Sequence, residues 1–115
     1  MQYAKAITRF VRISPRKARL AAQLIRGRKA EDAIVQLRFC RLKGGRLLLK
    51  TLDSAIANAE TQLEAKVENL NVHEVLVDGG PSFKRSKSKS RGGQMPFLKR
   101  TSHFTVVLST QEEKK

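Results

Sequence analysis

The chain has 115 residues, of which 24 are Lys or Arg and 10 are Asp or Glu, so its formal net charge is +14. The length fits one domain with a modest core, and the charge exceeds what solubility requires, which predicts a polyanionic partner such as nucleic acid. The single cysteine, Cys40, excludes an intrachain disulfide or a multi-cysteine zinc site, and no run of residues approaches the ~18 apolar positions of a membrane span.

Cysteine usage and the absence of an apolar leader at the start of the chain predict a cytoplasmic protein. The plastid stroma is the alternative if a transit peptide has been removed.

The basic residues fall into two blocks separated by an acidic one. Residues 1–50 contain only Glu31 and Asp32 as acids, residues 51–79 contain Lys66 as the single basic residue, and Gly80 to Thr101 contains seven basic residues and no acid. We expect a single domain over 1–115, with a body formed by 1–80 and 102–110, a hairpin over 81–101 and a short tail over 111–115.

The first predicted element is a strand from Ala4 to Arg12, with Arg9 and Arg12 near its end. A helix from Pro15 to Arg26 follows, because Ser14 is a good N-cap, Pro15 suits the first helical position and Gly27 ends the pattern. One side of this helix is apolar and the other is a row of basic residues.

Two further helices are predicted. The first spans Ala30 to Leu37, with acidic residues in its first turn. The second spans about Leu42 to Leu63 and has a long apolar stripe, although Gly44 and Gly45 weaken its first turns by roughly 1 kcal/mol each relative to Ala.

The strands Leu70 to Asp78 and Ser102 to Ser109 are expected to pair antiparallel, so that the residues between them form a hairpin. Arms of about ten residues would reach roughly 30 Å, with a tip near Ser90 to Gly93. An arm this basic needs an anionic surface around it to become ordered.

The basic residues on the first predicted helix have no acid nearby, which is typical of a phosphate-binding face. A solvated face is the alternative. The apolar side chains of the arm either stack on bases or pack against each other; these are Phe83, Met95, Phe97 and Leu98. His73 and His103 lack a second ligand or a triad partner at the right spacing, and no nucleotide-binding or nucleophile motif occurs. We therefore predict no enzymatic activity, no cofactor and no metal.

Four runs of sequence resemble a known family: RFVRISPRKARLAAQLIRGRKAEDA, LDSAIANAE, VLVDGGPSFKR and LKRTSHFTVVLS. In this order and spacing they are similar to large-subunit ribosomal protein twenty-two, the tunnel-hairpin family, over roughly Ala4 to Ser109. The resemblance implies an α+β fold, in which three helices pack on a small three-stranded antiparallel sheet and a long β-hairpin protrudes through rRNA. Its tip would line the nascent-peptide exit tunnel.

The resemblance also implies roles for particular residues. The residues expected to contact large-subunit rRNA are Arg12, Ser14, Arg16, Lys17, Arg19, Arg26, Arg28, Lys29, Lys84, Arg85, Lys99, Arg100, Thr101, Ser102 and His103. Arg9 and Lys87 lie in the same basic segments and are expected to contact the rRNA as well. The expected tunnel tip is Lys89, Ser90, Arg91, Gly92 and Gly93. The implied partners are large-subunit rRNA, neighbouring ribosomal proteins and the passing nascent peptide, and the implied role includes subunit assembly.

Two other classes of protein fit the charge. A DNA-architectural protein would use a basic arm in a minor groove, but such proteins normally dimerise, and we expect no homo-oligomer here. A cationic membrane-active peptide would need a strong amphipathic moment, which the arm lacks, so we expect no membrane partner.

Overall fold

The computed structural model describes residues 2–88 and 94–110, and within 83–98 it describes the backbone alone. The predicted α+β fold is confirmed. The elements in chain order are β1 (Tyr3–Val11), α1 (Pro15–Gln23), α2 (Ala30–Arg38), α3 (Lys43–Leu63), a short 3₁₀ turn (Val67–Asn69), β2 (Leu70–Gly79), β3 (Phe83–Ser88), β4 (Gln94–Lys99) and β5 (Ser102–Thr110).

The body is built on an antiparallel sheet in the order β1-β5-β2. The predicted pairing of the strands that flank the hairpin is confirmed, since Leu70 faces Thr110 and Val75 faces Val106. On the central strand, Phe104, Val106 and Leu108 are fully buried under the helices, and the alternating residues between them are half-exposed on the other face. This alternation places the core on one side of the sheet and leaves the opposite side to solvent.

Helix α1 begins as predicted but ends earlier. Ser14 is its N-cap, and the Ser14 Oγ accepts a hydrogen bond from the Lys17 backbone N–H at 3.4 Å. The helix ends at Gln23 instead of Arg26, because the chain then turns through Gly27, which has a φ of +74°. The turn buries Ile25 and brings the Arg28 carbonyl to the Val72 N–H of β2, at 2.8 Å.

The glycines near the start of α3 serve close packing. The helix begins at Lys43, one residue later than predicted, and both glycines are buried. A Cβ at Gly45 would lie 2.8 Å from the Cβ and Sγ of Cys40, and one at Gly44 would lie 3.2 Å from Ile13 Cδ1. Any larger residue would therefore push the start of α3 away from the neighbouring elements.

The hairpin strands form a separate two-stranded antiparallel sheet. Phe83 faces Lys99 at its base and Ser88 faces Gln94 at the last described pair. The molecule measures 72 × 24 × 17 Å and its radius of gyration is 17.3 Å, whereas a compact chain of this length would have about 13 Å. The hairpin therefore projects from the body, as predicted. In the described ranges no helix has both the length and the apolarity to cross a membrane.

Candidate nucleic-acid interface

A groove of about 640 Å³ lies where β1 ends, where α1 and α3 begin and where β4 returns to the body. Five of its ten lining residues are cationic. The lining consists of Arg12, Ile13, Ser14, Lys17, Leu20, Leu42, Lys43, Gly44, Lys99 and Arg100. Residues far apart in the chain thus bring positive charge to one concave surface.

Hydrogen bonds from side chains to backbone carbonyls hold this groove in shape. The buried Ser102 Oγ donates to the Ile13 carbonyl at 2.7 Å, and the Lys43 Nζ donates to the Arg12 carbonyl at 3.2 Å. Because α1 and α3 both begin here, the positive ends of two helix dipoles add to the side-chain charges. The surface is suited to polyanions.

A second groove of about 440 Å³ extends the first, with which it shares Ser14 and Arg100. It adds Pro15, Arg16 and Arg19. We call the surface of the two grooves the basic end. The structure thereby brings together the predicted contacts Arg12, Ser14, Arg16, Lys17, Arg19, Lys99 and Arg100.

Two predicted contacts, Arg19 on α1 and Arg26 in the turn after it, also bond to the sheet. The Arg19 Nη2 donates to the Val77 carbonyl at 3.1 Å, and the Nε and Nη2 of Arg26 donate to the Val75 carbonyl at 3.2 and 2.9 Å. Both acceptors lie on β2, an edge strand whose outward carbonyls have no strand partner. Each guanidinium keeps further N–H donors for other ligands. These arginines therefore cap the sheet edge as well as adding to the positive surface.

Thr101 and Ser102, two of the predicted RNA contacts, are buried. Their side chains are 2% and 0% exposed, and the Thr101 Oγ1 donates to the Pro81 carbonyl at 2.6 Å. Both hydroxyls are hydrogen-bonded inside the protein, and contact of these two residues with RNA stays a prediction. They join the body to the base of the hairpin.

The remaining predicted contacts are not gathered in the grooves. Arg9 is exposed on β1, and Arg28 and Lys29 are exposed beside β2, where Lys29 makes a bridge to Asn71. His103 is half-exposed, and its Nδ1 accepts a hydrogen bond from the Phe10 backbone N–H at 3.1 Å. Lys84, Arg85 and Lys87 lie on β3, and the predicted tip, residues 89–93, lies outside the described residues.

Sequence analysis missed Lys43, Leu20 and Leu42 as lining residues. The stretch that contains Lys43 indicates only a weak helix start, and the meeting of two helix N-termini has no local sequence signal. In the part of the chain that the structure describes, no three His, Cys, Asp or Glu residues are grouped in a way that could hold a metal ion.

Comparison with known proteins gives concordant matches. Residues 6–109 match the family model described as ribosomal protein L22p/L17e. The large ribosomal subunit protein uL22 of Protochlamydia amoebophila is 67% identical over 109 residues, which cover 95% of this chain and 98% of that protein. Proteins of the same name from Chlamydia pneumoniae and Chlamydia trachomatis are 57% and 61% identical, covering 94% and 90% of this chain and 97% and 94% of theirs.

Proposed function

Because the chain belongs to the family of ribosomal protein L22p/L17e, we propose that it is a structural component of the large ribosomal subunit that binds rRNA and assists subunit assembly. The names of its relatives, large ribosomal subunit protein uL22, support this placement. We propose no catalytic role and no cofactor.

The observation that carries the proposal is the basic end. Five cationic side chains from separate segments line one groove, and two helix N-termini open onto it. A fixed array of this kind matches the spaced phosphates of a folded RNA, since phosphate contacts supply affinity and the shape of the groove supplies placement.

The hairpin would extend the contact. Lys99 and Arg100 at its base line the groove, and β3 places Lys84, Arg85 and Lys87 farther along the arm. We propose that the arm passes through rRNA and that its tip, Lys89 to Gly93, lines the exit tunnel beside the nascent peptide; this step rests on the family resemblance. Neighbouring large-subunit proteins are the other expected partners.

A bacterial-type ribosome in the cytoplasm is the proposed location, since the relatives described above come from Protochlamydia and Chlamydia. The rival DNA-architectural function fits the same positive charge, and the binding experiment includes duplex DNA to exclude it.

The test is the salt dependence of binding between the full chain and large-subunit rRNA. If about eight phosphates are neutralised, the logarithm of the association constant should fall with the logarithm of salt concentration at a slope of roughly −6 to −7. Duplex DNA should bind more weakly at every salt concentration. A slope shallower than about −2, or a preference for DNA, would overturn the proposed function.

A further inference from the structure

Phe10 is an aromatic residue in an unusual position. Thr8 faces Phe104 and Val11 faces Ser102, so Arg9 and Phe10 together stand opposite His103 in a β-bulge. The φ of Phe10 is +59°, a region that bulky residues rarely adopt because the side chain crowds the backbone. Its side chain is nevertheless 58% exposed, so burial in the core does not compensate for this conformation.

His103 holds the Phe10 ring in place. The Phe10 N–H donates to the His103 Nδ1 at 3.1 Å, and the two rings are perpendicular with centroids 5.0 Å apart. Since Nδ1 accepts this bond, the proton of the neutral imidazole lies on Nε2. The imidazole is itself confined, because a Cβ at Gly80 would lie only 3.0 Å from its Cε1. Phe10 is thus an exposed ring on a fixed support.

The charges around this ring are positive. Arg9 and Arg12 are exposed on either side of Phe10 in the chain, and Arg12 also lines the larger groove of the basic end. Asp78 on β2 faces His103 from the side opposite the bulge, so β5 lies between this acidic residue and Phe10. An exposed apolar ring with an exposed arginine one residue before it and another two residues after it suits one nucleotide, which has a flat base and flanking phosphates.

The other end of β1 offers a comparison. Tyr3 also packs against a histidine, His73, with ring centroids 4.9 Å apart, and it is 51% exposed. It lies about 23 Å from Phe10 along the strand, and its φ is not positive. Its chain neighbours Gln2 and Ala4 carry no charge, and the basic residue near it is a lysine, Lys5, two positions farther along the strand. The positive φ and the flanking arginines are therefore specific to the Phe10 end.

Building on the function proposed above, we propose that Phe10 is a stacking platform for an unpaired base of the rRNA, with Arg9 and Arg12 on the adjacent phosphates. Bases extruded from RNA loops stack on exposed aromatic rings, and a ring fixed before binding loses little freedom on binding. An exposed aromatic residue kept in a costly backbone conformation indicates a ligand, since Gly or Asn would form the bulge with less strain.

The first experiment compares Phe10→Ala with Tyr3→Ala in the full chain, measuring affinity for large-subunit rRNA over a range of salt. We expect Phe10→Ala to weaken binding about 5-fold to 150-fold, as for the loss of one stacked base, with the salt slope unchanged. Tyr3→Ala should bind like the unmodified chain.

The second experiment reads stacking directly and does not depend on how the Ala variant folds. The chain has no tryptophan, so Phe10→Trp introduces a single indole, and Tyr3→Trp provides the matched control. Large-subunit rRNA should quench the emission of the Phe10→Trp chain by base stacking and leave the Tyr3→Trp chain nearly unchanged.

The possible failures are distinguishable. The stacking site would be overturned if Phe10→Ala bound rRNA with full affinity, or if rRNA quenched the Phe10→Trp and Tyr3→Trp chains equally. If the unmodified chain still showed a steep salt slope, the proposed function would stand. If Phe10→Ala binds free rRNA normally but fails to join large subunits, the ring contacts a protein instead, which also overturns the proposal. A shallow slope for the unmodified chain would overturn both.

Discussion

The two ends of the body carry grooves of similar size and opposite charge. The larger groove of the basic end measures about 640 Å³ and is lined by five cations and no acid. The groove where α3 ends measures about 520 Å³ and is lined by Glu60, Glu64, Glu68 and Lys66 with two apolar residues; we call it the acidic end. Concavity alone therefore does not identify the interface, and the charge pattern distinguishes the two ends.

The charges at the two ends of α3 do not stabilise the helix. An acidic residue in the first turn and a basic residue in the last turn stabilise a helix by interacting favourably with its dipole. Helix α3 has neither. Helix α2 has the stabilising arrangement, with Glu31 and Asp32 at its start and Arg38 at its end. The charge distribution around α3 instead adds to the dipole field, positive at the basic end and negative at the acidic end. Such a field would orient the protein on a polyanion before contact.

The largest expected effect tests this polarity. Replacing Arg12, Lys17 and Arg100 together by Ala should weaken binding to large-subunit rRNA about 100-fold at 0.15 M salt, since each released counterion contributes about 1 kcal/mol there. The salt slope should become shallower by about 2 to 3. A filter-binding titration series at several salt concentrations measures both quantities.

The matched control changes three charges at the acidic end, with Glu60, Glu64 and Glu68 replaced by Gln. Helix α3 has 21 residues and is therefore about 30 Å long, several times the Debye length of about 8 Å at physiological salt. The slope should therefore stay the same. If the acidic-end variant made the slope steeper by as much as the basic-end variant makes it shallower, net charge and not the basic end would drive binding.

The next effect concerns the junction between the body and the hairpin. A Cβ at Gly80 would lie 2.5 Å from the Thr101 Oγ1 and 3.0 Å from His103 Cε1, whereas one at Gly79 would meet only Pro15 Cγ, at 3.8 Å. Gly80→Ala should therefore lower the free energy of unfolding by about 1 to 3 kcal/mol. Gly79→Ala should leave it unchanged or raise it by up to about 1 kcal/mol.

Urea unfolding of the two glycine variants, followed by circular dichroism, tests this contrast. The basic end shares Lys99 and Arg100 with this junction, so Gly80→Ala should also weaken rRNA binding. Equal stability of the two variants would mean that the Thr101 and His103 side chains move aside freely, and that the junction is less rigid than the packing indicates.

Local sequence patterns were sufficient to predict most of the fold. The alternation on β5 and the apolar stripe of α3 predicted the buried face of each element, and Ser14 with Pro15 predicted the start of α1. These features depend on neighbouring residues, so they can be recognised without knowing the tertiary structure.

Features that depend on distant parts of the chain were not predicted. Gly44 and Gly45 were expected to weaken a helix, but they allow it to pack closely against Ile13 and Cys40. The bulge at Phe10 does have a signal in the sequence. The inward positions Ala4 and Ala6 are even-numbered and the inward Val11 is odd-numbered, and this change of parity requires an extra residue in the strand.

The smallest expected effect separates two kinds of arginine within the predicted basic face. Arg26→Ala removes two hydrogen bonds to the Val75 carbonyl on the edge of β2, whereas Arg16 is exposed and lines a groove. We expect Arg26→Ala to lower the free energy of unfolding by about 1 to 2 kcal/mol, and Arg16→Ala to change it by less than about 0.5 kcal/mol. Arg26→Lys should restore only part of the loss, because an ammonium group cannot reproduce the guanidinium fork.

Unfolding without RNA, together with the salt slope of rRNA binding, assigns each arginine to a role. Arg16→Ala should make the slope shallower by about 1 while leaving the unfolding midpoint in place. A stability loss at Arg16 as large as that at Arg26 would mean that the whole face supports the body. If instead Arg26→Ala changed only the slope, its bonds to β2 would contribute nothing to the fold. The sheet edge would then depend on the Arg19 bond to Val77, the Val72 bond to Arg28 and the Lys29 bridge.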